Sequence, residues 1–310
     1  MNIHDRPRRR AAKPFAAAAS MLLVAAAVLS AAACAPRKAL PRAEEQAALS
    51  VVASFYPMYV IARNVIGDAP GVTLRNMAGI QTGCLHDYSL TAADMKTLEG
   101  ADIFVVNGGG MESFLEKAAA GFPKLKTIQA SEGIPLIEGG EGPNPHVFVS
   151  PFGAAAQTRN VAKALAELDP SRAAVYARNG EAYAASLEAL GAKMKSRIAQ
   201  LPNRSVVTFH EAFPYFAEAF GLEIAAVVER EPGSEPSAGE LADTIGIVRK
   251  SGVKALFAEP QYSKASAEVI ARETGAKLFT LDPCVTGPDE PGAYLAAMEK
   301  NLATLEEALR

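Results

Sequence analysis

A chain of 310 residues, 49% of them hydrophobic, is long enough for two domains of ordinary size. Its net charge of −3 argues against nucleic acid as a partner, because phosphate backbones reward basic surfaces.

The first 33 residues read as an export signal. Arg6, Arg8, Arg9, Arg10 and Lys13 make a basic start, and an Ala-rich apolar run over 16–33 ends in small residues directly before Cys34. This is the pattern of a secretory signal, not of a transmembrane helix in the mature protein. Cysteine after small residues points to lipoprotein processing with Cys34 as lipidated N-terminus and membrane anchor; plain cleavage after an Ala-x-Ala site is the alternative. Residues 1–33 carry five basic side chains against Asp5, so without them the net charge falls from −3 to −7, a balance that suits a collector of cations. Nothing after Ala33 is long and apolar enough to span a bilayer. An exported membrane lipoprotein facing the periplasm or cell exterior is expected. Residues 34–49 hold two prolines and no apolar periodicity, and read as a tether.

From residue 50 the chain alternates β-rich runs with helical ones. Strands are predicted over 51–55, 72–76, 101–106 and 126–128, with helices over 56–66, 91–98 and 112–119. A second series has strands over 205–209, 223–228, 255–258 and 277–281, with helices over 212–219, 237–250 and 263–274. Such alternation means an α/β fold with mostly parallel sheets flanked by helices. Two series predict two lobes, 50–170 and 202–310. Between them, Tyr183, Leu187, Leu190, Met194 and Ile198 recur at helical spacing. One linking helix over 171–201 is predicted, roughly 45 Å long at 1.5 Å per residue. Gly180 and Gly191 weaken it without forbidding it.

Three histidines remain after the signal: His86, His146 and His210. Each sits beside a turn or a strand end, and Asp282 ends the last predicted strand in the same way. Ligands of open parallel sheets bind outside those carboxyl ends. Three imidazoles and one carboxylate suit tetrahedral Zn2+, whereas Mn2+ favours more carboxylate oxygen.

The segments SFYPMY (54–59), GCLHDYSLTAADMKTLEGADIFVVNGGGME (83–112), NPHVFVSP (144–151), VVTFHEAFPYFAEAFGL (206–222), ALFAEPQYS (255–263) and LDP (281–283) resemble the zinc- and manganese-specific solute-binding proteins of ABC importers, the cluster A-I family. The resemblance implies that His86, His146, His210 and Asp282 hold the metal; Glu229 and Glu259, which also end predicted strands, are the alternates for the fourth place. His210 stands where manganese members usually carry Glu, which points to zinc as the transported substrate. It also implies a membrane permease and a cytoplasmic ATPase as partners, with a monomeric binding protein. Leu85 replaces a usual Pro and Phe148 a frequent Trp, and the short 138–144 stretch lacks the His-rich loop of many zinc members. Asp87 and Glu211 are expected to support the site without ligating.

Cys84 lies two residues before His86, and Cys284 two after Asp282. If both neighbours bind one metal, the cysteines are close, and in an oxidising compartment a Cys84–Cys284 disulfide is expected. Thiolate ligation of the metal and two free thiols are the rivals. Asn107-Gly108-Gly109-Gly110 lacks the residues of a phosphate-binding loop and reads as a tight turn. No catalytic role is expected. A zinc hydrolase, with Glu211 as base, and a surface adhesin with structural zinc are the other readings weighed.

Overall fold

The computed structural model describes residues 48–86, 88–139, 142–228, 236–261 and 263–310. The expected signal, Cys34, all but the last two tether residues, Asp87 and Glu229 lie outside these.

Strands β1 (Leu49–Ala53), β2 (Val72–Asn76), β3 (Ile103–Val106) and β4 (Lys126–Gln129) form a parallel sheet in the order β2-β1-β3-β4. Helices α1 (Tyr56–Ile66), α2 (Ala92–Glu99) and α3 (Leu115–Gly121) connect them. β3 is buried along its whole length, as parallel strands covered on both faces are. Thr91 and Asp94 close a reciprocal capping box at the start of α2. A short antiparallel pair follows, β5 (Glu138–Gly139) with β6 (Gly142–Pro143).

The second sheet repeats the plan of the first. Strands β7 (Ser205–Thr208), β8 (Glu223–Val227), β9 (Ala255–Ala258) and β10 (Lys277–Thr280) are all parallel, in the order β10-β9-β7-β8. Helices α6 (Pro214–Phe220), α7 (Ala238–Ser251) and α8 (Ala265–Thr274) connect them, and α9 (Ala293–Ala308) closes the chain. Ser237 and Glu240 form a second capping box. In each sheet the crossovers reverse direction between the first and third strands, β1/β3 and β7/β9, the place where open sheets bind ligands.

Between the sheets run α4 (Pro151–Leu168) and α5 (Ala173–Ile198). The long helix expected over 171–201 is α5, and it does not stand alone: α4 packs along it. Gly180 and Gly191 are the close-approach points. A methyl at Gly180 would lie 2.4 Å from Ala162 Cβ, and one at Gly191 2.8 Å from the Phe152 ring. The turn between the helices is fixed by Asp169, whose Oδ2 accepts from Arg172 Nη1 at 2.8 Å and Tyr176 Oη at 2.7 Å.

The described residues form one compact unit. Its main core runs from Val51 and Phe104 of the first sheet through Leu187 and Met194 of α5 to Phe257, Val285 and Tyr294. A smaller core around Val207, Leu256 and Ile270 lies within the second lobe. An apolar core continuous across both sheets opposes wide separation of the lobes. Among the described residues no helix is long and apolar enough to cross a membrane.

Candidate metal centre

His210 follows β7, and Glu259 follows β9 directly, so the switch point of the second sheet presents an imidazole and a carboxylate side by side. Their closest atoms, His210 Nδ1 and Glu259 Oε1, are 3.2 Å apart, and both residues are almost wholly buried. Glu259 Oε2 accepts from Gln261 Nε2 at 2.7 Å.

The first lobe contributes two loops. His86 is carried by the segment after β2, whose neighbour Leu85 is fully buried; the apolar side chain at the place of the usual Pro anchors the loop in the core. Tyr88 braces it further, its hydroxyl donating to Asp94 Oδ2 at 2.8 Å. Burial and that carboxylate push the Tyr88 hydroxyl up to about 12.

His146 precedes a single 3-10 turn, Val147–Val149. Its Nδ1 lies 3.0 Å from Asn144 Oδ1. Asn144 is oriented by its amide, which donates to the Glu211 backbone carbonyl at 2.7 Å. Nδ1 of His146 is therefore the protonated nitrogen and Nε2 carries the free lone pair. Burial, reinforced by His210 and His86, holds this imidazole well below its ordinary pKa, so it is neutral at neutral pH. Phe148, at the place of a frequent Trp, packs edge-on against Phe55 with centroids 5.5 Å apart.

The three imidazoles converge. His86 Nε2 and His146 Nε2 are 3.2 Å apart, and the ring centroids of His210 lie 4.8 Å from His146 and 6.2 Å from His86. The fourth donor drawn into this group is Cys84: one ligand atom from each of Cys84, His86, His146 and His210 lies within 4.8 Å of every other. Cys84 Sγ is 3.6 Å from His146 Nε2.

Asp282 is not among these four. Its Oδ1 accepts the Cys284 N–H at 2.7 Å, and its own N–H donates to Asn301 at 2.9 Å. Burial raises its pKa, the Cys284 amide works against that, and the Glu259 charge adds to the rise. The structure records no bond between Cys84 and the buried Cys284, the pair expected to form a disulfide. The sulfurs are turned to different partners, Cys84 to His146 and Cys284 to the Asp282 carbonyl at 3.8 Å. Cys284 is held at φ +61° in the turn that Asp282 accepts, and burial followed by the Asp282 charge pushes its thiol well up.

The turn at Asn107-Gly108 does cradle a carboxyl group, and that group is the protein's own. Glu112 accepts from the Asn107 and Gly108 amides at 2.8 and 3.0 Å and from Ser54 Oγ at 2.8 Å. Burial raises its carboxyl while these donors oppose the rise. The turn in turn steadies the His146 loop, because Asn107 Nδ2 donates to the Pro145 carbonyl at 2.9 Å. Sequence reasoning missed this support and the role of Asn144. An Asn two residues before a candidate ligand was the available signal.

The sequence profile of the family described as "Zinc-uptake complex component A periplasmic" matches residues 51–308. The chain belongs to this family. Among curated relatives of the zinc-uptake component A family, the zinc-binding lipoprotein AdcA of Streptococcus pneumoniae is 30% identical over 280 residues. That match covers 84% of this chain but only 55% of AdcA, so the chain spans about half the length of that relative. Among solved structures, the solute-binding protein FpvC of Pseudomonas aeruginosa in complex with Mn2+ aligns with TM-score 0.77 and 33% identity, over 84% of this chain and 98% of FpvC. The laminin-binding protein Lmb of Streptococcus agalactiae, described as bifunctional with adhesin and metal-transporting activity, aligns with TM-score 0.77 and 30% identity, over 84% of this chain and all of Lmb.

Proposed function

We propose that this protein captures Zn2+ outside the cell and delivers it to the membrane permease of an ABC importer driven by a cytoplasmic ATPase. His86, His146 and His210 are the metal-binding core of this reading. The observation that carries it is the convergence of three imidazoles from three separate segments, with His146 locked by Asn144 in the tautomer that aims Nε2 at the others. Nitrogen-rich, borderline-soft donors favour zinc over manganese. The family supports the importer partnership, and AdcA's description as a lipoprotein supports lipidation at Cys34 with 34–49 as tether. We take the lobes 50–170 and 202–310 to move little about the 171–201 helix, as a monomer, so that release needs only a small displacement at the permease.

A binding role, not hydrolysis, fits this site: the nitrogens face one another, two of the three rings are buried, and a zinc hydrolase needs a coordination position open to substrate.

Metal analysis of the purified protein, with competition titration of Zn2+ against Mn2+, tests the proposal. One equivalent of zinc, not displaced by equimolar manganese and lost in His210→Ala, is expected. Wild-type protein that takes up no zinc, or prefers manganese, would overturn it.

A further inference from the structure

We propose that Cys84, as a thiolate, is the fourth donor to the metal, so that the transported ion sits in a three-nitrogen, one-sulfur shell with Asp282 outside it. This rests on the three-histidine reading above and adds the donor that sets the site's softness.

The distances carry it. Zinc–nitrogen bonds of about 2.05 Å and a zinc–sulfur bond of about 2.3 Å in a tetrahedron put two nitrogens about 3.3 Å apart, and a sulfur about 3.6 Å from a nitrogen. His86 Nε2 and His146 Nε2 are 3.2 Å apart, and Cys84 Sγ is 3.6 Å from His146 Nε2. The loop that carries His86 thus holds the sulfur at that spacing from His146, with one donor atom from each of the four residues within 4.8 Å of the others. Neither of the two carboxylates nearby, Glu259 and Asp282, belongs to this donor group. Glu259 contacts His210 through Nδ1 and so stands behind the imidazole, where a carboxylate orients a ligand. Asp282 accepts the amide that shapes its own turn. Cys284, buried among Tyr56, Tyr183 and Tyr294, is the structural thiol; Cys84 is the ligating one. A thiolate beside three imidazoles selects zinc and cobalt and disfavours manganese, which prefers oxygen.

Cobalt(II) loading of the full chain tests this, because a cobalt–thiolate bond gives a sulfur-to-metal charge-transfer band in the near ultraviolet that imidazole and carboxylate ligands do not. The wild-type cobalt form is expected to show the band and Cys84→Ser to lose it. Zinc affinity of Cys84→Ser should fall by more than the roughly 10–100-fold that loss of an outer-shell partner costs. In parallel, zinc should protect Cys84 from alkylation, read by peptide mapping of the wild type, which needs no variant to fold. A wild-type cobalt complex without the band, or zinc that leaves Cys84 alkylation unchanged, overturns the proposal and leaves the histidine site standing. Wild-type protein that binds neither metal overturns both.

Discussion

His146 Nδ1 and Asn144 Oδ1 are 3.0 Å apart, and the same oxygen accepts the His146 backbone N–H, also at 3.0 Å. One side chain therefore sets the path of the chain at His146 and the tautomer of its ring. Removing it lets the imidazole rotate and carry its proton on either nitrogen. Asn144→Ala is expected to weaken zinc binding by about 10–100-fold, as loss of such partners does. Asn144→Asp keeps the acceptor and should retain more affinity than the alanine variant, although it loses the donor to Glu211. Competition titration of both variants checks the ordering.

A comparable relationship exists on the other lobe, between His210 and Glu259. Glu259 is 1% exposed, its partner His210 equally enclosed, and the pair sits at the carboxyl ends of adjacent strands. A carboxylate 3.2 Å from His210 Nδ1 limits how the ring can turn and balances the charge of a bound cation. Glu259→Gln should lower zinc affinity by roughly 10-fold and Glu259→Ala by more, within about 10–100-fold. Equal affinity across wild type and both variants, measured by the same titration, would mean that Glu259 has no part in holding the metal.

Much of this was legible before any coordinates. Strand positions followed from β-rich runs bounded by helical stretches, and the helices predicted to start at Thr91 and Ser237 do start there, each with a capping box. The three histidines stood out because each lay beside a turn or strand end. Two helices, α4 and α9, were not predicted. Their sequences, PFGAAAQTRNVAKALAEL and AYLAAMEKNLATLEEA, carry much of their apolar face on alanine, which gives weak contrast along the chain. The fate of the cysteines was not legible either. Sequence proximity to two candidate ligands left a bridge, a ligand and two separate thiols all open; in the structure the two sulfurs face different partners.

The Asp169 cluster makes stability depend on acid. Burial would raise this carboxyl, but hydrogen bonds from Ser171, Tyr176 and Arg172, with the Arg172 charge, outweigh it and hold the pKa below 3.8. The unfolded chain binds its proton first as pH falls, so this contribution is complete above about pH 3.8 and is lost below it, down through the folded value. Asp169→Asn removes the charge while Arg172, with a side chain 3% exposed, stays buried. Breaking a buried pair in this way costs about 3–5 kcal/mol. Urea unfolding at neutral pH should show that loss, and the variant should be less sensitive than wild type to acid below pH 4.

Two glycines in helices give a paired prediction about the α4–α5 contact. Helix propensity alone favours alanine over glycine by roughly 0.5–1 kcal/mol. At Gly246, in α7, a methyl meets nothing within 4 Å, so Gly246→Ala should stabilise the metal-free protein by about that amount. At Gly180 the same methyl would lie 2.4 Å from Ala162 Cβ. That atom is fixed to the α4 backbone and cannot swing aside, so the helices must separate. Gly180→Ala should therefore destabilise by about 1–3 kcal/mol net of the propensity gain. Denaturant midpoints at constant slope give both values, and opposite signs are the expected result. A stabilised Gly180→Ala would mean that α4 and α5 are not in contact there, and that the long helix is less firmly held between the sheets than the shared core implies.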